Sequence, residues 1–401
     1  MISLLKNNLV NYLACYLTAA VCVQRLSMAL GNVFFVIAII IFLYLFYCDR
    51  QKNGFLYKTN DEIKGYYKAL LVFIISLLPS VFCVGSIESG IKTFLEMWIY
   101  RTFPFFAITM FIHDKNILKK MFIAFIVSVS LDCLVATYQY VFNLSSRGWG
   151  FGGNVLNLAS ILCFVVPIIV IIMLDNRFKK NVKIFWGFAL ACCSLGVLAG
   201  QSRGAWLTIA VLLPVLTYRY LSYNKKYIYV LLLIVTVLAS MFVLNPTFQN
   251  RLLSITNITT DRSNADRIII WESSWNMFKA HSVIGVGLGQ FRSVYNEKYK
   301  LPEVTQDLVH SHNNIVQIVV ESGIIGLLGF FYLIWYIFKH NFYEWYNKNN
   351  VYALLRLSCW LGILLFGMID YNLDASAVVK SLWFLYGIFL MLDECYNNYD
   401  K

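Results

Sequence analysis

An imidazole and three guanidiniums set the chemical possibilities of this chain. The run His310-Ser311-His312-Asn313-Asn314 closes a polar segment just before a long apolar stretch. An imidazole at such a boundary can take a proton from a hydroxyl at neutral pH. Spacing alone does not rank His310 against His312. Arg147 opens the run Arg147-Gly148-Trp149-Gly150-Phe151-Gly152-Gly153-Asn154, Arg203 stands in Gln201-Ser202-Arg203-Gly204-Ala205-Trp206-Leu207, and Arg267 lies in a helical pattern. A guanidinium offers a planar fork of donors to phosphate oxygens, and a neighbouring glycine lets an anion approach the backbone. Two or three such arginines can hold a pyrophosphate and neutralise it as it leaves. The plainer reading is that each arginine snorkels to lipid headgroups and that the histidine caps a helix. Three arginines beside small and aromatic residues favour the phosphate reading.

The elements that must position these groups belong to a membrane. Of the 401 residues 59% are hydrophobic and only 13% charged, against roughly 25% charged in soluble domains. A spanning helix needs about 20 mostly apolar residues. Such runs are expected at residues 9–24, 31–48, 67–85, 92–112, 121–142, 154–174, 184–200, 204–221, 227–244, 313–338, 351–370 and 377–394. The fold class is therefore all-α and polytopic, with about 12 transmembrane helices. Residues 1–244 hold the first nine spans, 245–311 form one large external loop with short helices, and 312–401 hold the last three. The first apolar stretch lacks a clear cleavage site and is read as an uncleaved helix.

Alternate loops carry Arg50, Lys52, Lys58 and Lys64, then Lys115, Lys119 and Lys120, then Arg177, Lys179, Lys180 and Lys183, then Arg219, Lys225 and Lys226, then Lys339 and Lys348. The short loops of the other set hold little beyond Arg25, Arg147 and Arg203. The basic set is cytoplasmic by the positive-inside rule, which puts both termini in the cytoplasm and the imidazole and arginines outside. Within the long loop, Ile268, Trp271, Trp275 and Phe278 recur at helical spacing, as on a helix lying on the membrane or over a cavity; Gly285, Gly287 and Gly289 follow it. Gly323, Gly326 and Gly329 would let another helix pack closely. Glu321, inside an apolar run, needs a partner and is expected to hold an arginine. Glu96, Arg101, Asp132, Arg356 and Lys380 also fall within spans, without an assigned role.

The motifs resemble those of the O-antigen ligase and polymerase superfamily. Its ligases pair an arginine with a leucine, here Arg203 and Leu207. They also carry His, then Asn, Ser or Gln, then nine residues and Gly-x-x-Gly, which His312, Asn313, Gly323 and Gly326 match. The run from Arg267 to Trp271, followed by Gly285-Val286-Gly287, is similar to the family's loop signature. The run Arg147 to Asn154 looks like its earlier outer motif. The resemblance implies an O-antigen ligase of the Gram-negative inner membrane. Its donor would be O-antigen on undecaprenyl pyrophosphate, and its acceptor a hydroxyl of lipid A–core oligosaccharide. Arg203 and Arg267 would bind the pyrophosphate, with Arg147 as a third candidate. His312 would activate the acceptor, in an inverting transfer that needs no metal or cofactor.

An O-antigen polymerase, joining lipid-linked repeat units, uses the same donor chemistry and is the alternative. A twelve-helix transporter is the remote one, since the halves show no symmetry and a single loop is long. ATP-driven transport is disfavoured by the lack of a phosphate-loop motif. No Asp-x-Asp pair suggests a metal-held nucleotide sugar. The net charge of +12 sits in short loops as a topology signal rather than a nucleic-acid patch. The ten cysteines, among them Cys83, Cys133, Cys163, Cys192 and Cys193, have neither metal nor disulfide spacing and read as small apolar packing residues.

Overall fold

The computed structural model describes residues 2–53, 61–83, 87–178, 180–223, 249, 262–301 and 309–397. The ninth expected span, 227–244, lies outside these residues, as do 245–248, 250–261 and 302–308 of the long loop. Among the described residues every regular element is helical. In chain order they are α1 (Ile2–Val23), α2 (Met28–Asn53), α3 (Asp61–Val81), α4 (Ile87–Phe94), α5 (Phe103–Phe111), α6 (Lys115–Val141), α7 (Val155–Leu174), α8 (Lys180–Gly200), α9 (Arg203–Tyr223), α10 (Arg262–Ala280), α11 (Asn314–Lys348), α12 (Val351–Phe366) and α13 (Ser376–Asn397). Among the described residues seven helices are long and apolar enough to cross a membrane, and Asn7–Val23 and Val351–Phe366 are shorter apolar helices. The all-α polytopic expectation holds.

One expected span is broken. Residues 92–112 do not form a single helix: α4 gives way to a wide turn at Leu95–Ile99 and a tight one at Tyr100–Thr102 before α5. Pro104, at the start of α5, supplies the local reason, because it donates no backbone N–H and suits the first turn of a helix.

The arrangement follows from which helices can bury all their faces. α13 is buried on nearly every side, and α7 almost as fully, while α2 leaves most of its apolar surface exposed. Val33, Val36, Ile40 and Leu43 on α2 face outward, as residues in contact with lipid do. Gly326 and Gly329 let α3 press against α11: a Cβ at Gly326 would meet the Leu77 side chain, and one at Gly329 would collide with Ser76.

The end of the bundle remote from His310 and His312 is closed by a buried ion network, in which His340 on α11 also lies 3.2 Å from Glu62. Arg356 on α12, fully buried, pairs with Asp393 on α13 at 2.7 Å and with Glu62 on α3 at 3.5 Å. Its Nε donates to Asn341 on α11, whose amide donates to the Tyr386 hydroxyl at 2.9 Å. One arginine thus joins four helices, which gives it a structural role. Removing one member of a buried pair costs about 3–5 kcal/mol, because the partner charges stay behind. Arg356→Ala is expected to lower the unfolding temperature of detergent-solubilised protein sharply; an unchanged melting curve would contradict the role.

Candidate functional site

The histidine motif is built around a helix start under strain. Asn313 caps α11, its side chain accepting from the N–H groups of Ile315 and Val316 at 2.9 and 3.1 Å, as an Asn cap does. His312 just before it sits at φ 54°, a left-handed conformation that a non-glycine residue adopts only when its surroundings enforce it. Those surroundings are visible. The Ser311 N–H donates to Gln317 Oε1 at 2.8 Å, and its hydroxyl to the Asn313 carbonyl at 2.9 Å.

The partner of His312 comes from the segment between α12 and α13. Asp370 Oδ1 lies 3.2 Å from His312 Nδ1. Three sutures fix it there. The Asn313 amide donates to the Met368 carbonyl at 3.0 Å, the Asn314 N–H to the Gly367 carbonyl at 2.7 Å, and the Asn314 amide to Asn372 Oδ1 at 2.8 Å. His310 stands edge-on to His312 with ring centroids 4.3 Å apart. Its Nδ1 accepts from the His312 N–H at 3.3 Å. Burial, then the neighbouring His312, hold the His310 pKa below that of a free imidazole. Geometry ranks the two: His312 has the carboxylate. His310, His312 and Asp370 also offer ligand atoms within 4.8 Å of one another, so these three side chains could hold a metal ion.

The arginines reach this centre through a chain of contacts at one end of the bundle. Arg147 Nε donates to the Gly200 carbonyl at 2.9 Å and the Gly148 N–H to the Ala199 carbonyl at 2.9 Å, so the first outer motif is tied to the second. Arg203 opens α9, after a turn that needs Gln201 at φ 46°. Gly204 packs on Phe366 and Ile369, at the end of α12 just before Asp370. On the far side α10 carries Arg267, and Trp271 one turn later donates its indole N–H to the Ser311 carbonyl at 2.9 Å. Arg147, Arg203, Arg267 and His312 thus gather at the same end.

Much of the backbone of the first motif is already engaged within the protein. The N–H groups of Trp149 and Gly150 donate to Gln139 Oε1 at 3.0 and 2.9 Å, and that of Phe151 to Asp132 Oδ1 at 2.7 Å. Asp132 also pairs with Arg25, which assigns both a structural task. Leu207 is exposed.

The long loop meets α11 differently from expectation. α10 buries Ile270, Ser273, Ser274 and Met277, while Ile268, Trp271 and Trp275 face outward. Small serines flank the close approach to α11, and the apolar stripe read as facing a membrane surface or a cavity lies away from it. Glu321 does not hold an arginine: it accepts from Gln317 Nε2 at 2.9 Å and the Phe291 N–H at 3.3 Å. Hydrogen bonds already available on the turn replace the expected ion pair. Gly323 breaks α11 at φ 62°, ψ −164°, a region essentially restricted to glycine. The freed groups are taken by residues 282–287. The Val320 and Glu321 carbonyls accept from Val286 and Gly287 at 2.9 and 3.1 Å, and the Ile324 and Ile325 N–H groups donate to Ser282 and Val283 at 2.9 and 3.3 Å.

Residues 188–331 match a family model described as O-antigen ligase. That stretch holds Arg203, Arg267, His312, Gly323 and Gly326, and leaves out Arg147 and Asp370. Over 396 residues, 92% of each chain, the sequence is 23% identical to a candidate polysaccharide ligase of Rickettsia typhi. It is 32% identical to one of Rickettsia conorii over 127 residues, 29% of each chain, and 28% identical to one of Rickettsia prowazekii over 141 residues, 34% of this chain and 33% of that one. The resemblance to the O-antigen ligase family is borne out.

A Cβ at Gly323 would collide with the Val283 carbonyl, and the backbone strain costs of the order of 1–3 kcal/mol. Gly323→Ala is therefore expected to undock the loop and speed tryptic cleavage at Lys279 and Arg292 in the folded protein. An unchanged digestion rate would contradict the docking.

Proposed function

We propose that this chain is an O-antigen ligase, moving O-antigen from undecaprenyl pyrophosphate to a hydroxyl of lipid A–core on the outer face of the bacterial inner membrane. The observation that carries the reading is the His312–Asp370 pair, 3.2 Å apart, at the same end of the bundle as Arg203 and Arg267. An ionised carboxylate only accepts, so Asp370 selects the His312 tautomer with Nδ1–H. Nε2 is then left to take a proton. The acceptor hydroxyl gives its proton to Nε2 as its oxygen attacks the anomeric carbon. The bond from that carbon to the diphosphate oxygen breaks, and undecaprenyl diphosphate leaves. Arg203 and Arg267 stabilise the negative charge that gathers on it. The start of α9 adds backbone N–H groups and a favourable dipole at the same point. Arg147, with its Nε donating to Gly200, braces the turn that carries Arg203.

The donor enters sideways from the bilayer, and α10 of the external loop lies over it. Both termini are cytoplasmic. No metal is needed, since a base and two guanidiniums supply proton transfer and charge neutralisation. A polymerase would use the same groups, and lipopolysaccharide gels separate the two: loss of a ligase leaves bare core, whereas loss of a polymerase leaves core bearing a single repeat.

In cells, His312→Ala is expected to insert normally and to lower transfer at least about 100-fold, the scale of a lost general base. Normal polysaccharide ladders at ordinary expression would remove His312 from the mechanism. Asp370→Asn should lower transfer by about 10–100-fold by releasing the His312 tautomer; full activity there would leave the carboxylate without a part. Arg203→Lys should lose about tenfold or more, because a point charge does not replace the bidentate fork. Retained activity would mark Arg203 as a lipid-facing residue.

A further inference from the structure

A cavity of about 1090 Å³ opens at the histidine end, walled by α1–α2, the broken segment before α5, the first outer motif and the segment 370–380. Neither Arg203 nor Arg267 lines it; His310 and Asp370, the direct neighbours of His312, do. On its wall stands Lys380, 2% exposed. Its ammonium lies 3.3 Å from Asn32 Oδ1 and over the rings of Phe35 and Tyr100, 4.3 and 4.4 Å from their centroids. Among the described residues no carboxylate forms an ion pair with it. Beside it Arg101 donates to the carbonyls of Leu373 and Asp374 at 2.9 and 2.6 Å, and reaches the Asp374 carboxylate at 3.9 Å.

A buried ammonium pays a desolvation cost that two aromatic faces and one amide oxygen offset only in part. In a membrane protein such a group marks a ligand site by default. We propose that this cavity is the acceptor subsite, and that Lys380, backed by Arg101, binds a phosphate group on the accepting glycolipid. The inference rests on the transfer reading above. On that reading the pyrophosphate of the donor already has Arg203 and Arg267, neither of which lines this cavity, so a second anion site serves the second substrate. Glu96 and Asp374, also on the wall, offer acceptors to sugar hydroxyls. An occupant held by Lys380 lies along a wall that leads to Asp370, which orients a hydroxyl towards the base.

The test uses the full chain in phosphatidylcholine nanodiscs and two probes, a synthetic glycolipid with one sugar phosphate and the same glycolipid after phosphatase treatment. The phosphorylated probe is expected to bind about tenfold more tightly, the equivalent of one charge-assisted hydrogen bond. Lys380→Met should abolish that preference and Lys380→Arg keep it. Arg101→Gln, measured as a second variant in case Lys380→Met fails to fold, should reduce it. Equal binding of the two probes, or a preference that survives Lys380→Met, overturns the proposal. So does a Lys380-dependent displacement of the probe by phosphatidylglycerol, which makes this a headgroup site, or by polyprenyl diphosphate, which makes it a donor site. A wild-type preference without any glycan transfer would count against the ligase reading and leave this subsite standing.

Discussion

A helix that breaks inside an apolar bundle must hand its backbone polar groups to something. That constraint organises the histidine end of this protein. Gly323 takes α11 out of helical geometry, and the groups freed on either side of it pair with residues 282–287. An unmet N–H or C=O in such surroundings costs several kcal/mol, so loop and helix hold each other. Glu321 and Gln317 extend the same junction from Phe291 to Ser311. Trp271 then ties α10 to the Ser311 carbonyl. Through these bonds a segment outside the bundle is placed against the residue next to His312.

The two ends of the bundle solve different problems. At one, Arg356 is enclosed with Asp393, Glu62 and Asn341, and its charge is spent on joining helices. At the other, charges line a cavity or stand beside an imidazole that is only partly buried. The charge of Arg356 is wholly enclosed among helices, whereas Lys380 and Arg101 stand on a cavity wall. Arg147 shows that the division runs through single motifs: it sits among glycines as a phosphate binder would, yet its Nε braces Gly200.

Much of this was legible in the sequence, for physical reasons. Long apolar runs have one solvent that suits them, so the helical membrane fold could be read from composition. The spacing of His312, Gly323 and Gly326 was legible because one helix carries all three. Asp370 was not singled out, because its contact with His312 spans 58 residues and nothing local marks a carboxylate at the end of a span as a partner. The role of Gly323 was read as close helix packing, which holds for Gly326 and Gly329 against α3; a backbone break leaves no periodicity to detect. For α10 the aromatic residues marked a stripe facing a membrane or a cavity, and the buried serines of its packed face carry no apolar periodicity to detect. Glu321 was expected to need a countercharge, and a glutamine with a turn N–H served instead.

In the proposed transfer an imidazole and two guanidiniums move a glycan from a lipid diphosphate to a sugar. Purified protein in liposomes, given lipid-linked glycan and lipid A–core without nucleotide and with chelator present, tests this most directly. One polyprenyl diphosphate is expected to be released for each acceptor glycosylated. No glycosylated acceptor under those conditions, or release of the lipid only when divalent metal is restored, would contradict it.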